Sequence, residues 1–159
     1  MSFNRREFIH AGAAALAAFT ASGCVCQQRK SASPSAQSPF DMPDLEPDSY
    51  AIGKKSIIVD LSKAASLHPI GGAAAIVRPE MPLQIIIVRF NRKEYFALSR
   101  LCTHGNQVLS FNPKRGVLQC NGYNHSIFGL DGAVVKGPAP TPLKVYPVML
   151  TDGKLEIVL

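Results

Sequence analysis

The chain has 159 residues, 47% of them apolar, and a formal net charge of +6, enough material for one domain with a core of ordinary size. Nothing in it suggests nucleic acid as a partner: it has no basic helix and no run of stacking aromatics. No nucleophile, acid–base pair or substrate pocket can be read from it, which argues against a stand-alone catalyst.

Taken in order, the first stretch is "SFNRREFIHAGAAALAAFTASGC". Arg5 and Arg6 precede Phe8, Ile9 and a mildly apolar, alanine-rich run that ends in small residues. Residues 1–23 resemble a twin-arginine export signal, the bacterial route for proteins that leave the cytoplasm already folded. Cys24 follows three small residues, as the acylated cysteine of a lipoprotein does, although Ala21 stands where a leucine is usual. Ordinary cleavage nearby, or retention of the signal as a membrane anchor, are the alternatives; the apolar run is shorter than the ~20 residues of a spanning helix. Each version places the protein in the periplasm or on the outer face of the bacterial cytoplasmic membrane, anchored to it by lipid or by the retained signal. Residues 24–49 are rich in proline and serine and end in Asp41, Asp44, Glu46 and Asp48; they read as a disordered acidic tether.

Residues 50–159 change character. "SIIVDLS" (56–62), "AAAIVR" (73–78), "LQIIIVRF" (83–90) and "EYFALS" (94–99) have the alternation or branched apolar runs of strands. The polar turn at 91–93 predicts a hairpin between the last two. "GVLQ" (116–119), "AVV" (133–135), "KVYPVML" (144–150) and "KLEIVL" (154–159) follow, with turn signals at Asp131-Gly132 and Asp152-Gly153. The one helical candidate, "LSKAASL" (61–67), is weak. The expectation is an all-β domain of small antiparallel sheets.

Two short stretches carry the chemistry: "CTHGN" with Cys102 and His104, and "CNGYNH" with Cys120 and His125. Each follows a predicted strand, so two neighbouring strands would present both loops at one end of a sheet. Two thiolates and two imidazoles suit a closed zinc site, or a two-iron cluster with cysteines on one iron and histidines on the other. In an oxidising compartment the cysteines also suit a disulfide. Magnesium and calcium are argued against by the ligand types.

The pattern "CTH", 15 residues, then a Cys/His loop running into "SIFGLDG" resembles the Rieske [2Fe-2S] family, whose motif is Cys-x-His followed by Cys-x-x-His-Gly-Ser. "EYFALSRLCTH", "GLDGAVVKGPAPTPLKVYPV" and the closing "KLEIVL" fall where that family has them, so the resemblance covers residues 50–159. It implies that Cys102 and Cys120 hold one iron and His104 and His125 the other. It also implies that Ser126 donates a hydrogen bond to a cluster sulfur and that residues 137–142 form a proline-rich cover over the site. Mixed ligation makes such a site less negative and easier to reduce, within about −150 to +300 mV.

Three departures stand out. The second loop is Cys-x4-His, two residues longer than the motif. The glycine after its histidine is missing. The non-ligand cysteine pair that crosslinks the loops in the respiratory-complex branch is absent, with Gln107 at the first of those positions. The lost crosslink and Phe128, which lacks a hydroxyl, both favour a lower potential. The functional expectation is one-electron transfer as a carrier or as a subunit of a larger oxidoreductase, with a redox protein such as a c-type cytochrome as partner. Arg100, Lys114, Arg115 and Lys136 flank the loops and would guide an acidic partner. The alternative is a non-redox β module with a zinc-filled or empty Cys2His2 site.

Overall fold

A computed structural model describes residues 42–78, 82–122 and 125–159. Its strands are β1 (Tyr50–Ile52), β2 (Ser56–Asp60), β3 (Ala73–Arg78), β4 (Leu83–Arg89), β5 (Tyr95–Ser99) and β6 (Leu109–Asn112). They continue with β7 (Val117–Cys120), β8 (Ile127–Phe128), β9 (Val134–Lys136), β10 (Val145–Tyr146), β11 (Val148–Thr151) and β12 (Lys154–Val158). They form three four-stranded antiparallel sheets, ordered β1-β2-β12-β11, β10-β5-β4-β3 and β6-β7-β8-β9. The all-β expectation holds. The weak helical stretch supplies only a 3-10 turn at Ala65–Leu67.

The middle sheet divides the interior. Side chains of a strand alternate between its faces, and the unbroken apolar run of β4 is what a strand covered on both faces requires. Ile85 and Ile87 enter one apolar cluster with Ile57, Val59, Ile76, Leu155 and Ile157. Ile86 and Val88 enter the other with Leu98, Leu109, Leu118, Phe128, Cys102 and Cys120. The first cluster is the base of the domain and the second carries the two cysteines at its tip.

Two segments differ from their sequence reading. The strand expected over 144–150 breaks at Pro147, which has no N–H to give to a ladder. Its first part, β10, pairs with β5, and its second, β11, pairs with β12 in another sheet. Order also begins before residue 50, inside the stretch read as tether. Asp44 bridges Ala75 in parallel, the Leu45 N–H donates to the Ala75 carbonyl at 2.7 Å, and Leu45 is 3% exposed in the base core. A buried leucine and a strand-like bridge are what the acidic composition concealed. Residues 1–41, with the export signal and Cys24, lie outside the described residues.

Candidate metal centre

The first loop leaves β5 and closes as a tight turn. The Cys102 N–H donates to the Gln107 carbonyl at 2.8 Å, and the Asn106 N–H donates to the Cys102 carbonyl at 3.0 Å. Asn106 sits at φ 55, the left-handed region that asparagine tolerates better than most residues. The second loop starts at Cys120, the last residue of β7, whose N–H donates to the Ser126 carbonyl at 2.9 Å. That bond closes the loop at its base, so the extra length is absorbed between the two residues. Tyr123 and Asn124, in the middle of it, are outside the described residues.

The loops come from different sheets, not from one sheet end as the sequence suggested: β5 belongs to the middle sheet and β7 to the tip sheet. What joins them is a bridge between Leu101 and Val108 and the Asn121 N–H on the Val108 carbonyl at 3.1 Å. The Gln107 side chain packs on Gly122, where a Cβ would lie 2.9 Å from its Cγ and 3.4 Å from its Cβ.

The result is convergence. One donor atom each from Cys102, His104 and Cys120 lies within 4.8 Å of the others. Both cysteines are fully buried free thiols, while His104 is exposed. The disulfide reading is therefore not realised. Burial pushes the Cys120 thiol up from its ordinary value, and the adjacent Cys102 thiol adds to this. The Gly122 N–H acts the other way, donating to Cys120 Sγ at 3.4 Å. A bond of that kind favours a thiolate, so the donor set fits a thiophilic metal group bound from the protein interior outward.

His125 is exposed, stands at φ 34 and lies outside that group of three. Its Nδ1 is 2.8 Å from the Cys120 carbonyl oxygen. A carbonyl only accepts, so the bond places the proton on Nδ1 and leaves Nε2 as the lone-pair nitrogen of the neutral ring. Ser126 is fully buried, and its Oγ accepts the Ala139 N–H at 3.0 Å, in the proline-rich segment. Phe128 is fully buried in the tip core.

The basic residues divide. Lys114 and Arg115 lie in the β6–β7 turn, beyond the Asn112–Val117 pair, whereas Cys120 pairs with Leu109 at the opposite end of that hairpin. They do not flank the site. Arg100 directs Nη1 toward Asp44 at 3.7 Å, with its side chain 17% exposed. Lys136 pairs with Ile127 beside the second loop and is exposed. Sequence reading missed Thr103, whose Oγ1 donates to the Thr141 carbonyl at 2.7 Å. A hydroxyl between two ligand-type residues was the only available signal.

Residues 62–147 match the family model described as the Rieske [2Fe-2S] domain, a span of more than half the chain. The chain is 33% identical over 76 residues to the cytochrome b6-f complex iron-sulfur subunit 3 of Nostoc sp., covering 48% of this chain and 42% of that one. It is 29% identical over 102 residues to the anthranilate 1,2-dioxygenase ferredoxin subunit of Burkholderia cepacia, covering 58% of this chain and 92% of that one. The chain thus spans less than half the length of the first relative and nearly all of the second. Among solved structures, the ferredoxin of carbazole 1,9a-dioxygenase from Nocardioides aromaticivorans superposes with a TM-score of 0.51 at 20% identity, over 64% of this chain and 93% of that one, a likeness of fold.

Proposed function

Because the chain belongs to the Rieske [2Fe-2S] domain family, we propose that it is a one-electron carrier whose [2Fe-2S] cluster takes Cys102 and Cys120 on one iron and His104 and His125 on the other. The observation that carries the ligand set is the meeting of Cys102, His104 and Cys120 donor atoms within 4.8 Å, with both thiols buried and not joined in a disulfide. The cluster, when bound, supplies reversible one-electron chemistry at a potential set by its mixed ligands and their hydrogen bonds.

The chain's own residues supply placement. The thiol side is sealed by the tip core, with Leu109, Leu118 and Phe128 around the two cysteines, and this excludes water. Gly122 lends its N–H to Cys120 Sγ, stabilising negative charge there. His104 and His125 face solvent, so a partner protein gains access from the imidazole side. For His125 the nitrogen offered is Nε2, because Nδ1 is held by the Cys120 carbonyl. Ser126 accepts from Ala139 and keeps its own hydroxyl hydrogen to donate toward the site.

Iron and acid-labile sulfide analysis with EPR tests this reading. Two irons per chain and a rhombic signal after dithionite are expected; a colourless protein with one zinc would overturn it in favour of the non-redox module. His125→Ala should lose the cluster, and a normal signal in that variant would remove His125 from the ligand set.

The proposed setting is the periplasmic side of the cytoplasmic membrane, serving a redox protein such as a c-type cytochrome or a larger oxidoreductase. Arg5, Arg6 and Cys24 support export and lipid anchoring. Among the described residues no helix is long and apolar enough to cross a membrane. Replacing Arg5 and Arg6 by lysine should hold the protein in the cytoplasm, and Cys24→Ala should release it from the membrane fraction. Unchanged fractionation in both would refute the address.

A further inference from the structure

We propose that the end of the domain opposite the ligand loops is an anionic-lipid-binding surface built from Ile70, Phe90, Arg92, Lys93, Lys114 and Arg115. It seats the protein on a membrane with the exposed His104 and His125 turned away from the lipid. The inference rests on the proposed membrane address and extends it from the export segment to the folded domain.

Strand register places these residues together. Arg89 pairs with Tyr95 and Ala73 with Val88 at this end, whereas Ile85 pairs with Ser99 toward Cys102. Likewise Asn112 pairs with Val117 here, whereas Leu109 pairs with Cys120 at the site. Over the seven residues of β4 the two ends stand about 20 Å apart. The loop before β3 is tied to the β4–β5 hairpin: the Gly71 N–H donates to the Arg89 carbonyl and the Arg89 N–H to the Gly72 carbonyl, both at 2.8 Å. The β6–β7 turn lies against the same loop, since a Cβ on Gly71 would be 3.6 Å from the Pro113 Cβ.

The side chains brought together are apolar and cationic. Ile70 is 60% exposed and Phe90 49%, on adjoining loops rather than scattered. Arg92, Lys93, Lys114 and Arg115 are exposed beside them. Glu94 is the one carboxylate of these loops, and it accepts from the Asn91 side-chain amide. The next turn, where the His68 ring meets the Leu61 carbonyl at 2.8 Å, adds Asp60 and Lys63, whose charges offset. Cations bordering exposed apolar tips suit an anionic bilayer: the cations meet headgroup phosphate and the tips enter the acyl boundary.

The path of the chain selects lipid over an acidic protein. The Ala75 N–H donates to the Pro43 carbonyl at 2.9 Å and the Leu45 N–H to the Ala75 carbonyl at 2.7 Å, a parallel pairing. A parallel partner runs in the direction of β3, so Met42 lies toward Ala73, at the basic end. The segment that carries Arg5, Arg6 and Cys24 thus joins the domain there. Its acids Asp44 and Glu46 are engaged by Arg100 and by the Ser66 hydroxyl. One acyl chain holds a protein to a bilayer only marginally, and a basic surface is the second attachment that makes the hold stable.

Hydrogen exchange of the full-length protein tests this with two vesicle preparations, pure phosphatidylcholine and an equal mixture with phosphatidylglycerol. The mixed vesicles should slow exchange at the Phe90 and Arg115 amides about fivefold or more and leave Asn106 and Asn121, beside the ligand loops, unchanged. Raised salt should remove the protection. Lys114→Gln with Arg115→Gln should weaken it about fivefold per cation. Ile70→Ser with Phe90→Ser should also weaken it; the charge pair, in an exposed turn, keeps the test open if loss of the Phe90–Phe96 ring contact unfolds that variant.

No protection by mixed vesicles, or equal protection by pure phosphatidylcholine, would overturn the surface. Protection by poly-glutamate with none by vesicles would assign this end to an acidic protein and overturn it equally. A wild type that fractionates with the cytoplasm, yet is protected by mixed vesicles, would refute the address and support the surface. Membrane-bound protein without protection at this end would do the reverse.

Discussion

The base and the tip of this domain solve the same packing problem with different materials. The base is ladder: β3 and β4 pair over six residues, β2 and β12 over five, and the isoleucines, valines and leucines between the sheets are fully buried. The tip is short ladder and loop. β8 has two residues, its pairing with β9 shifts register between Ile127 and Phe128, and two of its core residues are cysteines. Buried cysteine behaves as a small apolar residue, so the tip core is packed around the very thiols that a metal group requires. On the proposed ligand set, changes in the base core should leave the metal centre untouched, whereas changes in the tip core should not.

The comparison can be broken most severely at the thiols. Cys102→Ser or Cys120→Ser should abolish iron binding while far-UV circular dichroism shows the sheets retained; iron retained in either variant would remove that cysteine as a ligand. Next come the cores. Phe128→Ala should cost about 3–5 kcal/mol and disturb the EPR spectrum, whereas Ile87→Ala should cost about 2–5 kcal/mol and leave the spectrum of the folded fraction unchanged. Equal spectral damage from both, measured beside urea denaturation, would erase the distinction between base and tip.

Smaller effects sharpen it. Asp44→Ala removes the partner of Arg100 at the approach to the first loop; Asp44 is 72% exposed at its side chain, so less than about 1 kcal/mol should be lost. The smallest effect lies in the base and is read by pH. The Ser62 hydroxyl and N–H both donate to Asp60 Oδ1, at 2.6 and 3.0 Å, and hold its carboxyl below the usual value of 3.8. A depressed folded pKa stabilises above the unfolded value and is lost as pH falls through the folded one. Stability measured across the acid range should therefore show a slight extra decline below pH 3.8 that Asp60→Asn lacks. Asp60 is only partly buried at the end of β2, and an equal decline in both proteins would show that Ser62 adds nothing.

Much of this was legible in the chain. Strand β3 has the predicted bounds, β4 ends one residue earlier than expected, and Asp152-Gly153, at φ 48 and 75, makes the hairpin its residue types require. The short strands β1, β6 and β8 were missed, because two to four residues give too little periodicity to count. The folded stretch before Tyr50 was read as tether, since one buried leucine among prolines and acids leaves no pattern.

Residue types alone determined the class of donor atoms, Cys102, His104, Cys120 and His125, and the sheet-forming periodicity around them, because both are properties of single residues and near neighbours. Tertiary structure decided the rest. It brought the loops together from two sheets, moved Lys114 and Arg115 to the wrong end of a hairpin, and committed Nδ1 of His125 to a carbonyl. It also joined Thr103 to Thr141 across 38 positions and Ser126 to Ala139 across 13. A hydrogen bond over such a separation depends on the path of the whole chain, and no local pattern of residues encodes it.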